Sequence, residues 1–150
     1  MKPAKWLDSS AVLTLLMAEP GYEVVRDALN EAEQGRGRVM LSQISLVEVA
    51  HAIAHSHGEE SARDDVRLIH EMPIEIQGTS DEQCLRAGLL RGRHRLSTAD
   101  AVIAVQAQEA GAALVHKDPE FEALTELKQV CLPYKPTKKA KSQKLHSGHV

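Results

Sequence analysis

Apolar and polar positions follow two rhythms along the 150 residues of this chain. Short apolar runs, AKWLD near the start, VMLS at 39–42, IEI after Pro73, AALVH at 112–116 and VCL at 130–132, have the length and composition of buried strands. Between them, apolar residues recur every three or four positions, as on one face of a helix. AVLTLLMAE is one such stretch, stopped by Pro20 and Gly21. A second spans 21–34, with Val24, Val25, Ala28, Leu29 and Ala32 in its stripe. QISLVEVAHAIAHSH follows with Ser42 placed to cap it, then a more charged helix at 59–71, another at 79–91, TADAVIAVQAQEA, and a short helix from Pro119. Strands separated by helices imply right-handed crossovers. The expected fold is a three-layer α/β/α sandwich around a mainly parallel sheet of four to five strands. Ligands of such sheets bind beyond the carboxyl ends of the strands, and Asp8 and Asp118 each follow an apolar strand.

Composition sets one domain at 1–134. The chain is 43% hydrophobic with only four aromatic residues, so its core rests on Leu, Val, Ile, Ala and Met. The formal charge of -3 conceals a split. Residues 1–134 hold 13 Lys plus Arg against 21 Asp plus Glu and are near -8, whereas 135–150 carry Lys135, Lys138, Lys139, Lys141, Lys144 and no acid. That segment has almost no apolar content and is expected to be a disordered basic tail. Cys84 and Cys131 lie far apart with no C-x-x-C, and are expected as buried thiols in a reducing compartment. Lys2 and Lys5 ahead of AVLTLLMA faintly mimic a secretory signal, but Asp8, Ser9 and Ser10 interrupt it and no cleavage pattern follows. With no segment long enough for a bilayer, the expectation is a cytoplasmic protein without a membrane partner.

Four acids change the picture from fold to chemistry. Asp8, Glu48, Asp100 and Asp118 lie where apolar stretches meet helix starts, or on the apolar side of a helix. An unpaired carboxylate near a core costs several kcal/mol on an order-of-magnitude scale. Three of them have a plain structural reading. Asp8 can cap the helix after it, Asp118 before Pro119 looks like an N-cap, and Ser97-Thr98-Ala99-Asp100 resembles a capping box. Glu48 cannot cap anything. It lies inside its helix beside the apolar stripe, with no Lys or Arg three or four positions away. A divalent cation shared by all four satisfies them together, and oxygen donors alone suit Mg2+ or Mn2+ rather than zinc.

LDSSAV, SLVEVA, LSTADAVIAVQA and LVHKDPEF, in this order and spacing, resemble the PIN domain, and within it the VapC-like ribonuclease toxins of type II toxin-antitoxin systems. The resemblance covers about residues 5–134. It implies that Asp8, Glu48, Asp100 and Asp118 are the metal-binding catalytic acids of a Mg2+- or Mn2+-dependent endoribonuclease, with Ser9 and Thr98 as supporting hydroxyls. It also implies an RNA substrate and a protein antitoxin; the residues alone argue only for phosphoryl chemistry. Many members carry Thr or Ser two residues before the last Asp, where this chain has His116.

Arg91, Arg93 and Arg95 are candidate RNA contacts, because an acidic site needs cations to hold a polyanion, although a solvated helix end explains them nearly as well; Lys117, beside Asp118, is a further candidate that reads more simply as a solvated lysine. His51, His55 and His57, on the Glu48 helix itself, lack a third ligand at zinc spacing and read as histidines of the surface or of the surroundings of the acids. Apolar surplus on AVLTLLMAE and VEVAHAIA suggests a homodimer and a groove for the antitoxin. A catalytically silent RNA-binding or scaffold protein on the same fold stays open, as does an aspartyl-phosphate or phosphoacceptor enzyme, which the absence of a D-x-D pattern at Asp8 disfavours.

Overall fold

A computed structural model describes residues 2–134, so the tail expected at 135–150 lies outside the described residues. Five strands, β1 (Ala4–Leu7), β2 (Arg38–Ser42), β3 (Glu75–Gln77), β4 (Ala113–His116) and β5 (Gln129–Cys131), form one sheet. Their order is β3-β2-β1-β4-β5 and every neighbouring pair is parallel. Six helices make the crossovers: α1 (Ser9–Leu16), α2 (Tyr22–Glu33), α3 (Gln43–His57), α4 (Glu59–Glu71), α5 (Asp81–Arg91) and α6 (Thr98–Glu109). A 3-10 helix, Pro119–Ala123, separates β4 from β5. No described helix is long and apolar enough to cross a membrane.

Side-chain alternation builds two cores. Trp6, Met40 and Leu114 point to the face covered by α5, α6 and the 3-10 helix. Leu7, Val39, Leu41 and Val115 point to the other face, where Ala11, Val12, Val25, Leu29, Val49 and Ile53 of α1–α3 meet Ala62 and Ile69 of α4. This is the predicted three-layer sandwich. Helix α6 is buried from Ala101 through Ala107, and small residues at 101, 104 and 107 let it lie close between the sheet and α5. Its one polar member in that run, Gln106, is a hub. Trp6 Nε1 donates to Ser42 Oγ (3.0 Å), Ser42 donates to Gln106 Oε1, and Gln106 Nε2 donates to the Gly78 carbonyl (2.9 Å).

Three expectations change here. Ser42 occupies the N-cap of α3, but its hydroxyl is taken by Trp6 and Gln106 and makes no cap bond. Cys84 and Cys131 are exposed rather than buried, because the first lies on the outer part of α5 and the second ends the edge strand β5. The apolar surplus of α1 is spent inside, where Ala11 and Val12 are buried and Leu13, Leu15 and Leu16 pack on the second core. Among the described residues, the large apolar side chains left exposed are Val24, Val47, Leu68, Leu85, Leu89 and Tyr134.

Candidate metal centre

Chain order along the sheet reverses between β1 and β4, and the crevice beyond their carboxyl ends is where a parallel α/β sheet offers a site. Asp8 leaves β1 there. Its N–H donates to the Val115 carbonyl (3.0 Å), tying the strand ends together, and its carboxylate accepts the Ser9 N–H (2.6 Å) as the cap of α1. Ser9 Oγ (3.2 Å) and Ser10 Oγ (2.9 Å) donate to the two carboxylate oxygens of Asp8. Ser9 Oγ is also 3.2 Å from Glu48 Oε1, so one hydroxyl bridges two acids. Ser10 Oγ in turn accepts the Lys117 N–H (3.0 Å), locking α1 to the segment after β4. Asp8 is 4% exposed. Burial pushes its carboxyl above the usual range against the pull of those hydrogen bonds, and Glu48 is raised by burial and by the neighbouring Asp8.

Asp100 approaches from α6, where Ser97 Oγ accepts its N–H (3.1 Å). Asp118 caps the 3-10 helix by accepting the Glu120 N–H (2.9 Å), with Pro119 at the first position. Carboxylate oxygens of Asp100, Asp118 and Glu120 lie within 4.8 Å of one another. The Asp100 carboxyl is pushed up to about 7, first by burial and then by the charges of Asp8, Asp118 and Glu48, while the Ser97 hydroxyl pulls it down. All four predicted acids therefore share one electrostatic field. Among the described residues none of them, nor Glu120, forms a salt bridge. A hard divalent cation fits this donor set: all oxygen, negative in excess, and without a protein cation to balance it. Cap and ligand are compatible roles, because a capping carboxylate still presents free lone pairs to the crevice.

Linkage follows with a definite sign. Between about pH 4 and 7 the folded protein holds a proton on Asp100 that the unfolded chain has released, so metal-free stability falls as pH rises through that window. Millimolar Mg2+ or Mn2+ favours the carboxylates and is expected to flatten the fall. Melting temperatures from pH 4 to 8, with chelator and with Mg2+, check this; parallel curves would exclude a cation at Asp100.

His116, two residues before Asp118, holds that residue through its backbone. It is fully buried, and its Nδ1 accepts the Asp118 N–H (3.0 Å). Its Nε2 then donates to Gln129 Oε1 (2.8 Å), and Gln129 Nε2 donates to the carbonyls of Phe121 (2.9 Å) and Leu124 (3.1 Å). This chain of bonds holds the 3-10 helix, and with it Asp118 and Glu120, against the sheet. His116→Ala is expected to weaken divalent affinity by roughly 10–100-fold, the usual effect of losing a group that orients ligands. Calorimetric titration with Mn2+ measures it.

Other predicted residues are placed differently. Thr98 is the first residue of α6, and its hydroxyl accepts Arg91 Nη1 (3.0 Å), while Arg91 Nε donates to the Leu96 carbonyl (3.0 Å). Arg91 thus pins the loop before α6. Lys117 is not solvated. Its side chain is 5% exposed and pairs with Glu19 at 3.6 Å. Arg93 and Arg95 are exposed in the loop before α6 and make no side-chain bond among the described residues. His51 and His55 stack on α3, and His57 meets Ser56. Sequence reasoning passed over Glu120 and Ser10. The signal was present in D-P-E and D-S-S, where a cap is followed by a second polar group, but each motif is fully explained by the cap alone.

Residues 5–127 match the PIN domain family model. No curated protein matches the chain in sequence. Solved structures with the same fold include VapBC2 from Rickettsia felis bound to a DNA fragment from its promoter: 18% identity, TM-score 0.70, 87% of this chain and 99% of that one. DNA-bound VapBC from Salmonella typhimurium is similar at 20% identity and TM-score 0.69, covering 87% and 98%. VapC20 from Mycobacterium tuberculosis, a sarcin-ricin loop cleaving toxin, is similar at 16% identity and TM-score 0.63, covering 80% and 94%.

Proposed function

The chain belongs to the PIN domain family, and from that premise we propose that it is a divalent-metal-dependent endoribonuclease, the toxin of a type II toxin-antitoxin pair. The observation that carries the reading is the meeting of acids from separate elements at one crevice: carboxylate oxygens of Asp100, Asp118 and Glu120 lie within 4.8 Å of one another, and Ser9 Oγ lies 3.2 Å from both Asp8 Oδ1 and Glu48 Oε1. Asp8, Glu48, Asp100 and Asp118, with Glu120 beside them, would hold Mg2+ or Mn2+. When bound, the ion polarises a phosphate oxygen and lowers the pKa of an attacking water.

The chain's own residues supply position. Asp8 is fixed by one N–H and two hydroxyls, so it arrives in the crevice already oriented. Ser9 spaces Glu48 from Asp8 through a shared hydroxyl. Asp100 enters the crevice from the first turn of α6, where Ser97 Oγ accepts its N–H and fixes its position. Arg93 and Arg95, exposed and without a side-chain partner among the described residues, are the proposed fixed contacts to RNA phosphates. A single-stranded RNA cut by the protein, protected by chelator and cut again after Mg2+ or Mn2+ is restored, is the expected result. RNA binding without metal-restored cleavage would favour the silent binding or scaffold reading.

Partners complete the proposal. The VapBC neighbours support a small antitoxin protein as the inhibitor of a toxin acting in the cytoplasm. Leu85 and Leu89, about 60% exposed on one side of α5, suit burial in a homodimer.

A further inference from the structure

We propose that a pocket beside the acidic centre, lined by His94, Gln108 and Glu126, seats one base of the RNA strand and selects guanine. This rests on the ribonuclease reading and adds to it a source of sequence choice that the acids cannot supply.

Asp100 lies in the first turn of α6, and Ala104 and Gln108 follow it at four-residue steps on the same helical face. They therefore lie about 6 and 12 Å from it along the helix axis. The facing wall is the 3-10 helix, which carries Glu120 near its start and ends at Ala123. A cavity of about 220 Å³ opens between these two walls beyond the acids, bounded by Ala104 and Gln108 on one side and by Ala123 to Leu127 on the other. Its floor is apolar, because Ala104, Leu124 and Leu127 are buried and belong to one core. Sites for drug-sized ligands run about 300–1,000 Å³, so this smaller one suits a single planar ring system. A strand whose phosphate meets the metal centre passes its mouth.

Chemistry chooses the occupant. Above the apolar floor stand Arg93, His94, Gln108 and Glu126, and none of their side chains has a hydrogen bond or ion pair among the described residues. Opposite charges on Arg93 and Glu126 thus share one rim without cancelling. Unstacked RNA bases are held by a flat side chain against the ring and by hydrogen bonds along the base edge. The half-buried His94 offers the flat face, while the exposed Arg93 keeps the phosphate of the same nucleotide. An ionised Glu126 only accepts, whereas the Gln108 amide donates through nitrogen and accepts through oxygen. Guanine matches this pair: its adjacent N1–H and N2–H donate to the carboxylate, and its O6 accepts from the amide. Adenine turns the lone pair of N1 toward the carboxylate and is repelled. Cytosine and uracil each set an acceptor beside their one donor group.

The test uses the full chain carrying Asp100→Asn, so that RNA survives, and single strands of about ten nucleotides. One strand is oligoadenylate; the other is the same strand with a central guanosine. The guanosine strand is expected to bind ~10-fold more tightly, the size of one good two-bond contact to a base. Adding Glu126→Gln is expected to bring the strands within ~2-fold of each other. The ratio cancels any general change in charge or in folded fraction. Equal affinity of the strands for the chain that keeps Glu126 would overturn the proposal. A preference that survives Glu126→Gln would overturn it too, since guanine would then be read elsewhere. If the preference holds and depends on Glu126 while the wild-type chain cuts neither strand in Mg2+ or Mn2+, the ribonuclease reading fails alone. Metal-restored cleavage by the wild type with no guanosine preference removes the pocket alone.

Discussion

Asp100→Asn is expected to reduce metal-dependent RNA cleavage by about 1000-fold or more, roughly 4 kcal/mol of transition-state stabilisation, and at the same time to raise the melting temperature of the metal-free protein. The two effects share one cause. Asp100 is half-buried and faces Asp8, Asp118 and Glu48, so its ionised form is the one the fold disfavours and a cation favours. Asparagine keeps the shape and removes the charge. At pH 8 the wild type carries that charge, so the substitution relieves repulsion. Solvent at the exposed part of the carboxyl screens the gain to about 1 kcal/mol, or ~3 °C in a domain of this size. Metal-dependent stabilisation should shrink in step. Thermal melts with chelator and with Mg2+, beside a cleavage assay, read both arms. A variant that loses cleavage but keeps the full Mg2+ shift would place the ion away from Asp100.

The second large effect falls on stability. Gln106→Ala is expected to destabilise the fold by about 3 kcal/mol, combining a cavity in a close-packed helix with buried groups left unpaired. Gln106 is 1% exposed and joins three parts of the chain: Ser42 at the end of β2, the Gly78 carbonyl after β3, and Gln83 of α5 at 3.3 Å. Its loss leaves the Gly78 carbonyl and the Ser42 hydroxyl without that partner, although Trp6 still donates to Ser42. Urea unfolding measures the cost. Because no acid of the crevice bonds to Gln106, divalent affinity of the folded protein should change little. A shift below about 1 kcal/mol would mean that neighbouring groups or water replace the amide.

The periodic stretches were legible because strand and helix declare themselves within a few residues. α3 was read as Gln43–His57 and is found there. The order β3-β2-β1-β4-β5 was not legible, because it depends on pairings such as Leu7 with Val115 that no local pattern carries. The acids were readable for a similar reason. Glu48 had no local cation to explain it, and among the described residues it forms no salt bridge. Lys117 went the other way. Its partner Glu19 is almost a hundred positions distant, so a buried pair looked like a solvated lysine. Arg91 likewise looked like a free cation while its bonds to Leu96 and Thr98 follow from how the loop turns. Glu120 was hidden by the sufficiency of the Asp118 cap. Charges can be noticed in a sequence by what they lack nearby, but not by what reaches them from afar.

The central place of β1 also governs when the crevice comes into being during synthesis. One neighbour, β2, is made soon after β1, but the other edge must wait for Leu114 and Val115. At about 5–20 residues per second, Asp8 stands exposed on a half-built sheet for roughly 5–20 s before Asp118 is even translated. A nascent chain therefore carries its acids but no assembled centre. The acidic crevice is therefore among the last parts of the fold to be completed, once β4 has joined β1 and Asp118 has followed it.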